Sequence, residues 1–153
     1  MDVNVMNALI SATNNVMEMT TGIVLKTGKP SLCSAPVYEE PICIIVGITG
    51  EQRGQVTISM TRESGIYIAG VMMQGMGSGL LDELTKSALQ ELCNMTMGTF
   101  ATLLANKLEM IIDITPPTLI EGEHISLSGG PTIRIPMLFD GGEIILNLAL
   151  KAK

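Results

Sequence analysis

The sequence is poor in the side chains that most often carry chemistry or bind nucleic acids. Its 153 residues include no Trp, 2 Phe, 2 Tyr and one histidine, His124, and only 16% of them are charged. With 15 acidic against 9 basic residues and almost no stacking aromatics, the chain is not expected to bind nucleic acid. A lone histidine cannot build a histidine-rich metal site within one chain, so no metal site is predicted and His124 is interpreted as structural.

Long apolar runs and paired cysteines are also missing. Residues 42–48 are too few, and residues 65–81 too interrupted, for a membrane span, which needs about 18 consecutive apolar residues. The N-terminus lacks the basic start and apolar segment of a signal peptide. Cys33, Cys43 and Cys93 are odd in number and form no C-x-x-C pair, which predicts reduced thiols that fill a core. We therefore expect a cytoplasmic protein without membrane insertion.

Hydrophobic periodicity predicts three helices and a set of strands. The helices are expected over residues 3–20, 63–74 and about 80–107. Strands are expected over residues 32–38, 42–49, 56–60, 110–114 and 124–127. Asp140-Gly141-Gly142 is a strong turn signal, so residues 132–139 and 143–150 are predicted to pair as a hairpin.

An internal repeat relates the two long helices. Ser11-Ala12 and Met19-Thr20-x-Gly22 recur 76 residues later as Ser87-Ala88 and Met95-Thr96-x-Gly98. Further matches follow in the same order, among them residues 30–32 with 117–119, which predicts a duplicated helix–strand–hairpin unit. We predict one α+β domain over residues 1–153, in which an antiparallel sheet is packed by two long helices with pseudo-twofold symmetry.

A polar ridge stands out on the second long helix. Ser87, Glu91, Asn94 and Gly98 are spaced by four, three and four residues, so at about 100° per residue they share an arc of roughly 60°. The opposite side is apolar and predicted to face the core, through Leu89, Leu92, Cys93, Thr96, Phe100, Leu103 and Leu104. The spacing alone is more typical of a solvated helix face than of a functional site. On the first helix, the matching positions are Ser11, Asn15 and Glu18, so the acid and the amide are exchanged.

The ridge and a distant proline together match a family signature. Ser87-x3-Glu91-x2-Asn94, followed by 22 residues and Pro117, resembles the signature of the CheC/CheX/FliY phosphatases of bacterial chemotaxis. All four fixed positions and all three spacings agree. Further stretches are similar to CheX-like members of that family, namely residues 7–10, 26–31, 46–50, 91–96 and 113–118.

The resemblance implies a CheC-like fold and a phosphatase that hydrolyses the aspartyl phosphate of a response-regulator receiver such as phosphorylated CheY. In this family Asn94 would orient the attacking water, and Glu91 would anchor the helix to the receiver's active-site lysine. Ser87 and Gly98 would support the receiver contact. No cofactor of the chain's own is implied, whereas a divalent metal, Mg²⁺, is expected on the receiver.

An alternative function and an assembly question stay open. The chain could instead be a non-catalytic adaptor that docks on a receiver or on another chemotaxis or flagellar-switch protein. The resemblance also implies a homodimer. Residues 42–46 and 144–150 are uncharged, and they are predicted to be edge strands that a partner covers.

Overall fold

Three helices and ten strands make up the described part of the chain. The computed structural model describes residues 3–33, 37–123, 125–127 and 130–151, so the interpretation of His124 lies outside it. The helices are α1 (Val3–Thr21), α2 (Arg62–Met72) and α3 (Glu83–Leu108). The strands are β1 (Lys26–Thr27), β2 (Ser31–Cys33), β3 (Val37–Glu39), β4 (Ile42–Gly50), β5 (Gly54–Met60), β6 (Ile112–Ile114), β7 (Thr118–Glu121), β8 (Ile125–Leu127), β9 (Thr132–Phe139) and β10 (Gly142–Leu150).

Eight of these strands form one antiparallel sheet. Its order is β1-β9-β10-β5-β4-β6, with β2 also pairing with β9 and β7 with β4. The hairpins β4–β5 and β9–β10 therefore occupy the centre, and a pair of short strands flanks each side. The α+β prediction with an antiparallel sheet is confirmed. From either edge of the sheet, short strands come first and a hairpin follows. This symmetry fits the predicted duplication, but the duplication itself stays a prediction.

Two strand predictions are wrong. Residues 32–38 were expected to form one strand, yet β2 belongs to the large sheet while β3 pairs with β8 in a separate two-stranded ribbon. Residues 42–46 and 144–150 were expected at sheet edges, but β4 lies between β5 and β6/β7, and β10 lies between β9 and β5. These segments lack charge because they are buried interior strands, whose sequences read as continuous apolar runs.

The helices bury their apolar sides against one face of the sheet. Thr13 and Met17 of α1 meet Leu89 of α3 and Ile44 and Ile58 of the sheet around a small internal void. The predicted core face of α3 is buried at Leu89, Leu92, Cys93, Thr96, Phe100 and Leu104, while Leu103 is half-buried and Met97 joins the core. None of the helices in the described ranges is long and apolar enough to cross a bilayer.

Candidate functional site

The start of α3 is held by a cluster of hydrogen bonds. The Asp82 carboxylate accepts from the Thr85 N–H at 2.9 Å and from Ser78 Oγ at 2.6 Å. These bonds, the one from Ser78 above all, lower the pKa of Asp82 to about 2. Because Asp82 is the N-cap, α3 begins at Glu83, three residues after the predicted start.

The ridge residues share the solvent-facing side of α3. Ser87, Glu91 and Asn94 are exposed, and Gly98 is half-buried, so the structure places the four residues as the helical spacing predicts. A Cβ at Gly98 would meet no atom within 4 Å, which shows that packing within this chain does not require glycine there. Among the described residues, the Glu91 and Asn94 side chains have no hydrogen-bond or ion-pair partner, so both are available to a ligand.

The signature proline lies across a groove from the ridge. Pro117 is in the loop between β6 and β7, and this loop faces α3. An open groove of about 500 Å³ separates the two, lined by Ser87, Gln90, Glu91, Asn94 and residues 114–117. The chain thus brings together all four fixed positions of the predicted signature at one site.

The loop is fastened to the sheet through Thr115. The Thr115 N–H donates to the Gly47 carbonyl at 3.0 Å, and the Gly47 N–H donates to Thr115 Oγ1 at 2.8 Å. Any Cβ at position 47 would lie 3.0 Å from Thr115 Cγ2, so glycine permits this close approach. The paired bonds fix the point at which the loop leaves the sheet toward the helix.

Two further contacts tie this region to α3. Gln90 Nε2 donates to the Pro117 carbonyl at 3.3 Å, and Lys86 Nζ binds Glu121 Oε1 of β7 at 2.9 Å. The hydrogen bond between Lys86 and Glu121 raises the pKa of the lysine and lowers that of the carboxyl, so the pair stays charged around neutral pH. Helix α3 is therefore connected to β7 through Lys86, near the helix start, and to the loop through Gln90.

Gln90, Thr115 and Gly47 were not predicted as site residues. Gln90 directly precedes Glu91, but its contact is with a carbonyl 27 residues away that only the fold brings near. The Thr-Pro-Pro-Thr segment at residues 115–118 is a local signal for a rigid loop, although it does not reveal the bond to Gly47.

The cysteines offer no reactive nucleophile at this groove. Cys43 and Cys93 are buried, and burial raises the pKa of each thiol to about 12. Cys33 is half-buried on β2, so the prediction of a core thiol holds for two of the three. Within the described ranges, no group of three or more His, Cys, Asp or Glu is placed to hold a metal ion.

Comparisons of sequence and structure point to a single family. The family described as "Chemotaxis phosphatase CheX" matches residues 42–138. The CheY-P phosphatase CheX of Thermotoga maritima is 36% identical over 157 aligned residues, which cover 99% of each chain. A chemotaxis protein CheX from Desulfovibrio desulfuricans has a TM-score of 0.85 and 25% identity, covering 96% of this chain and 99% of that one. CheX of Borrelia burgdorferi, solved in a CheX–CheY–BeF3–Mg²⁺ complex, has a TM-score of 0.79 and 28% identity, covering 96% of this chain and 97% of that one.

Proposed function

The chain belongs to the CheX family of chemotaxis phosphatases, and we propose that it hydrolyses the aspartyl phosphate of a CheY-like response-regulator receiver. The observation that carries this proposal is the groove opposite Pro117, where the Glu91 and Asn94 side chains are exposed and make no hydrogen bond or ion pair with the described residues. Full-length similarity to a CheY-P phosphatase supports the reaction, and the Borrelia complex supports the choice of partner.

Asn94 supplies the one element that a phosphorylated receiver lacks. The receiver itself brings the aspartyl phosphate, the divalent metal and a lysine that stabilises charge, so the attacking water still has to be positioned. A carboxamide both donates and accepts hydrogen bonds and can hold that water in line with the phosphorus. Glutamine has this role in GTPases, where catalysis rests on orientation and electrostatics rather than on a strong base.

Glu91 holds the helix in register on the receiver. It lies one turn before Asn94 on the same exposed face, so a partner group that reaches one is close to the other. A charge-assisted hydrogen bond from the receiver's lysine to the Glu91 carboxylate would fix the distance between Asn94 and the phosphoryl group. Ser87 extends the same face by a further turn, and Gly98 leaves the far end of the ridge unobstructed.

The proposal also covers the metal, the cellular compartment and the oligomeric state. Mg²⁺ is held by the receiver, and the protein acts in the cytoplasm beside it. We also propose the implied homodimer; β4 and β10 are interior, so neither can extend the sheet across it. A monomeric mass in light scattering at micromolar concentration would contradict the dimer.

The direct test is phosphate release from phosphorylated CheY with the wild type, Asn94→Ala and Glu91→Ala. We expect the wild type to accelerate release and Asn94→Ala to lower kcat about 100-fold or more, as when one transition-state contact is removed. An unchanged rate in Asn94→Ala would contradict the mechanism. Tight binding of CheY by the wild type without any acceleration would instead favour the adaptor function.

A further inference from the structure

The groove has a second wall that the family signature represents by a single proline. This loop wall, residues Thr115, Pro116 and Pro117, faces the same open space as Glu91 and Asn94. Thr115 and Pro116 are exposed and Pro117 is half-buried, so the wall presents its surface to whatever enters the groove. Any receiver segment that reaches Asn94 from this side must pass close to the wall.

The loop wall is exposed and yet fastened at both ends. Thr115 exchanges two hydrogen bonds with Gly47 of β4, and after Pro117 the strand β7 pairs with β4 and carries the ion pair from Glu121 to Lys86. The two prolines further restrict the backbone between these points. A surface held in one conformation loses little entropy when a partner binds, which favours a binding role.

Gln90 joins this wall to the helix that carries the ridge. Its side chain is half-buried, lines the groove between Ser87 and Glu91, and donates to the Pro117 carbonyl at 3.3 Å. The contact therefore links the two sides of the groove one residue before Glu91.

We propose that the loop wall is a second contact surface for the phosphorylated receiver, and that Gln90 is the positioning residue that sets its distance from Glu91 and Asn94. This inference rests on the proposed phosphatase function. It assigns the receiver a binding site with two sides: a polar ridge on α3 that meets the phosphoryl centre, and a proline-rich wall that meets the surface beside it.

The experiment removes the Gln90 bond with little change of shape. Gln90→Met keeps an unbranched side chain of similar length and high helix propensity but has no N–H to donate. We expect KM for phosphorylated CheY to rise about fivefold, the equivalent of one net hydrogen bond, with kcat unchanged. The Kd for CheY loaded with BeF3 and Mg²⁺ should rise by the same factor. Pro116→Ala, which trims the exposed face of the wall, should raise KM in the same way.

A matched control separates positioning from stability. Gln52 Nε2 donates to the Lys151 carbonyl at 3.1 Å and to the Arg53 carbonyl at 3.4 Å, and Gln52 does not line the groove. Gln52→Met should lower the melting temperature about as much as Gln90→Met and leave KM unchanged. Thr115→Val removes the acceptor of the Gly47 N–H and keeps only the backbone bond to the Gly47 carbonyl, so the wall is held less firmly. Gln90→Met should therefore raise KM less in that background than in the wild type.

The outcomes distinguish this inference from the proposed function. If the wild type is active and Gln90→Met and Pro116→Ala keep the wild-type KM, the wall does not contact the receiver and the inference is wrong. The inference is also wrong if Gln52→Met raises KM as much as Gln90→Met does. If the wild type binds BeF3-loaded CheY without phosphatase activity, the proposed function fails, and the Kd values of the same variants decide the inference. If the wild type neither hydrolyses nor binds, both are overturned.

Discussion

The two long helices carry the same polar residue types at matching positions, but in opposite order. From the N-terminal end, α3 presents Ser87, Glu91 and Asn94, whereas α1 presents Ser11, Asn15 and Glu18. The second and third residues of each set are exposed, and both helices bury their opposite side in the same core. The acid and the amide are therefore exposed on both ridges and differ in their order, while the serine is half-buried on α1 and exposed on α3.

The loops that follow the two helices differ as well. The loop after β6 is fastened by two hydrogen bonds between Thr115 and Gly47. At the corresponding place after β1, Gly28 donates one bond to the Pro136 carbonyl at 2.7 Å. A second bond of the same kind cannot form, because Pro136 has no N–H and Gly28 has no hydroxyl. The α3 half therefore combines the residue order of the predicted signature with a loop held by two bonds, whereas the α1 half has the reverse order and a loop held by one.

The largest expected effect comes from exchanging the order on α3. Glu91→Asn combined with Asn94→Glu gives α3 the order found on α1, and we expect dephosphorylation of phosphorylated CheY to slow by about 100-fold or more, because no amide then meets the water. The reciprocal exchange, Asn15→Glu with Glu18→Asn, should leave the rate at the wild-type value. Activity retained by the first double variant would show that residue order does not distinguish the helices.

Removing the Glu91 carboxylate alone should weaken binding of the receiver more than it slows the chemical step. In the proposed complex Glu91 pairs with the receiver's lysine away from water, so we expect Glu91→Ala to raise KM for phosphorylated CheY by roughly 30-fold. The control Glu18→Ala removes the exposed acid of α1 and should change KM less than twofold. Steady-state kinetics at two ionic strengths measure both, and an equal rise in the two variants would point to net charge rather than to a specific ion pair.

Gly98 tests whether the far end of the α3 ridge must stay open. Gly98→Ala and Gly70→Ala both place a methyl group into free space within a helix, so each should stabilise the fold by roughly 0.5–1 kcal/mol. We expect only Gly98→Ala to slow dephosphorylation, by a factor of a few, because its methyl group meets the receiver. Denaturant unfolding checks the first expectation and phosphate release the second. Equal activity in the two variants would remove Gly98 from the site.

Local sequence patterns predicted the ridge well because helical spacing alone determines which side chains share a face. Ser87, Glu91 and Asn94 are exposed and Leu89 and Phe100 are buried, as the 3.6-residue period requires. The start of α3 was predicted three residues early, because the apolar residues at 80 and 81 extend the periodic pattern beyond the Asp82 cap.

The strand positions in the sheet and the hydrogen bonds around the groove could not be predicted, because they depend on contacts between distant segments. The apolar runs in β4 and β10 predict edge strands, but burial between neighbouring strands explains their lack of charge. The bonds from Gln90 to Pro117 and from Gly47 to Thr115 join residues 27 and 68 positions apart, and no local pattern encodes such pairs.

The smallest expected effect probes the orientation of α3. Cys93 lies on the side opposite the ridge, and burial raises its pKa to about 12, so it should remain an unreactive thiol in the native protein at pH 8. Cys43 should behave alike, whereas the half-buried Cys33 should be labelled first. Labelling with a thiol reagent should thus modify one site in the native state and three after denaturation. Rapid modification of Cys93 would mean that α3 is rotated and the ridge misplaced.

The assignment of catalysis to one amide is tested most directly by single-turnover dephosphorylation of CheY with Asn94→Ala beside Asn15→Ala. These variants remove exposed asparagines from the two matching ridges, so differences in folding or net charge are small. We predict that Asn94→Ala slows the single-turnover rate about 100-fold while its Kd for BeF3-loaded CheY stays within about twofold of the wild type, and that Asn15→Ala keeps the wild-type rate. A wild-type rate in Asn94→Ala, or an equal loss in Asn15→Ala, would contradict the assignment.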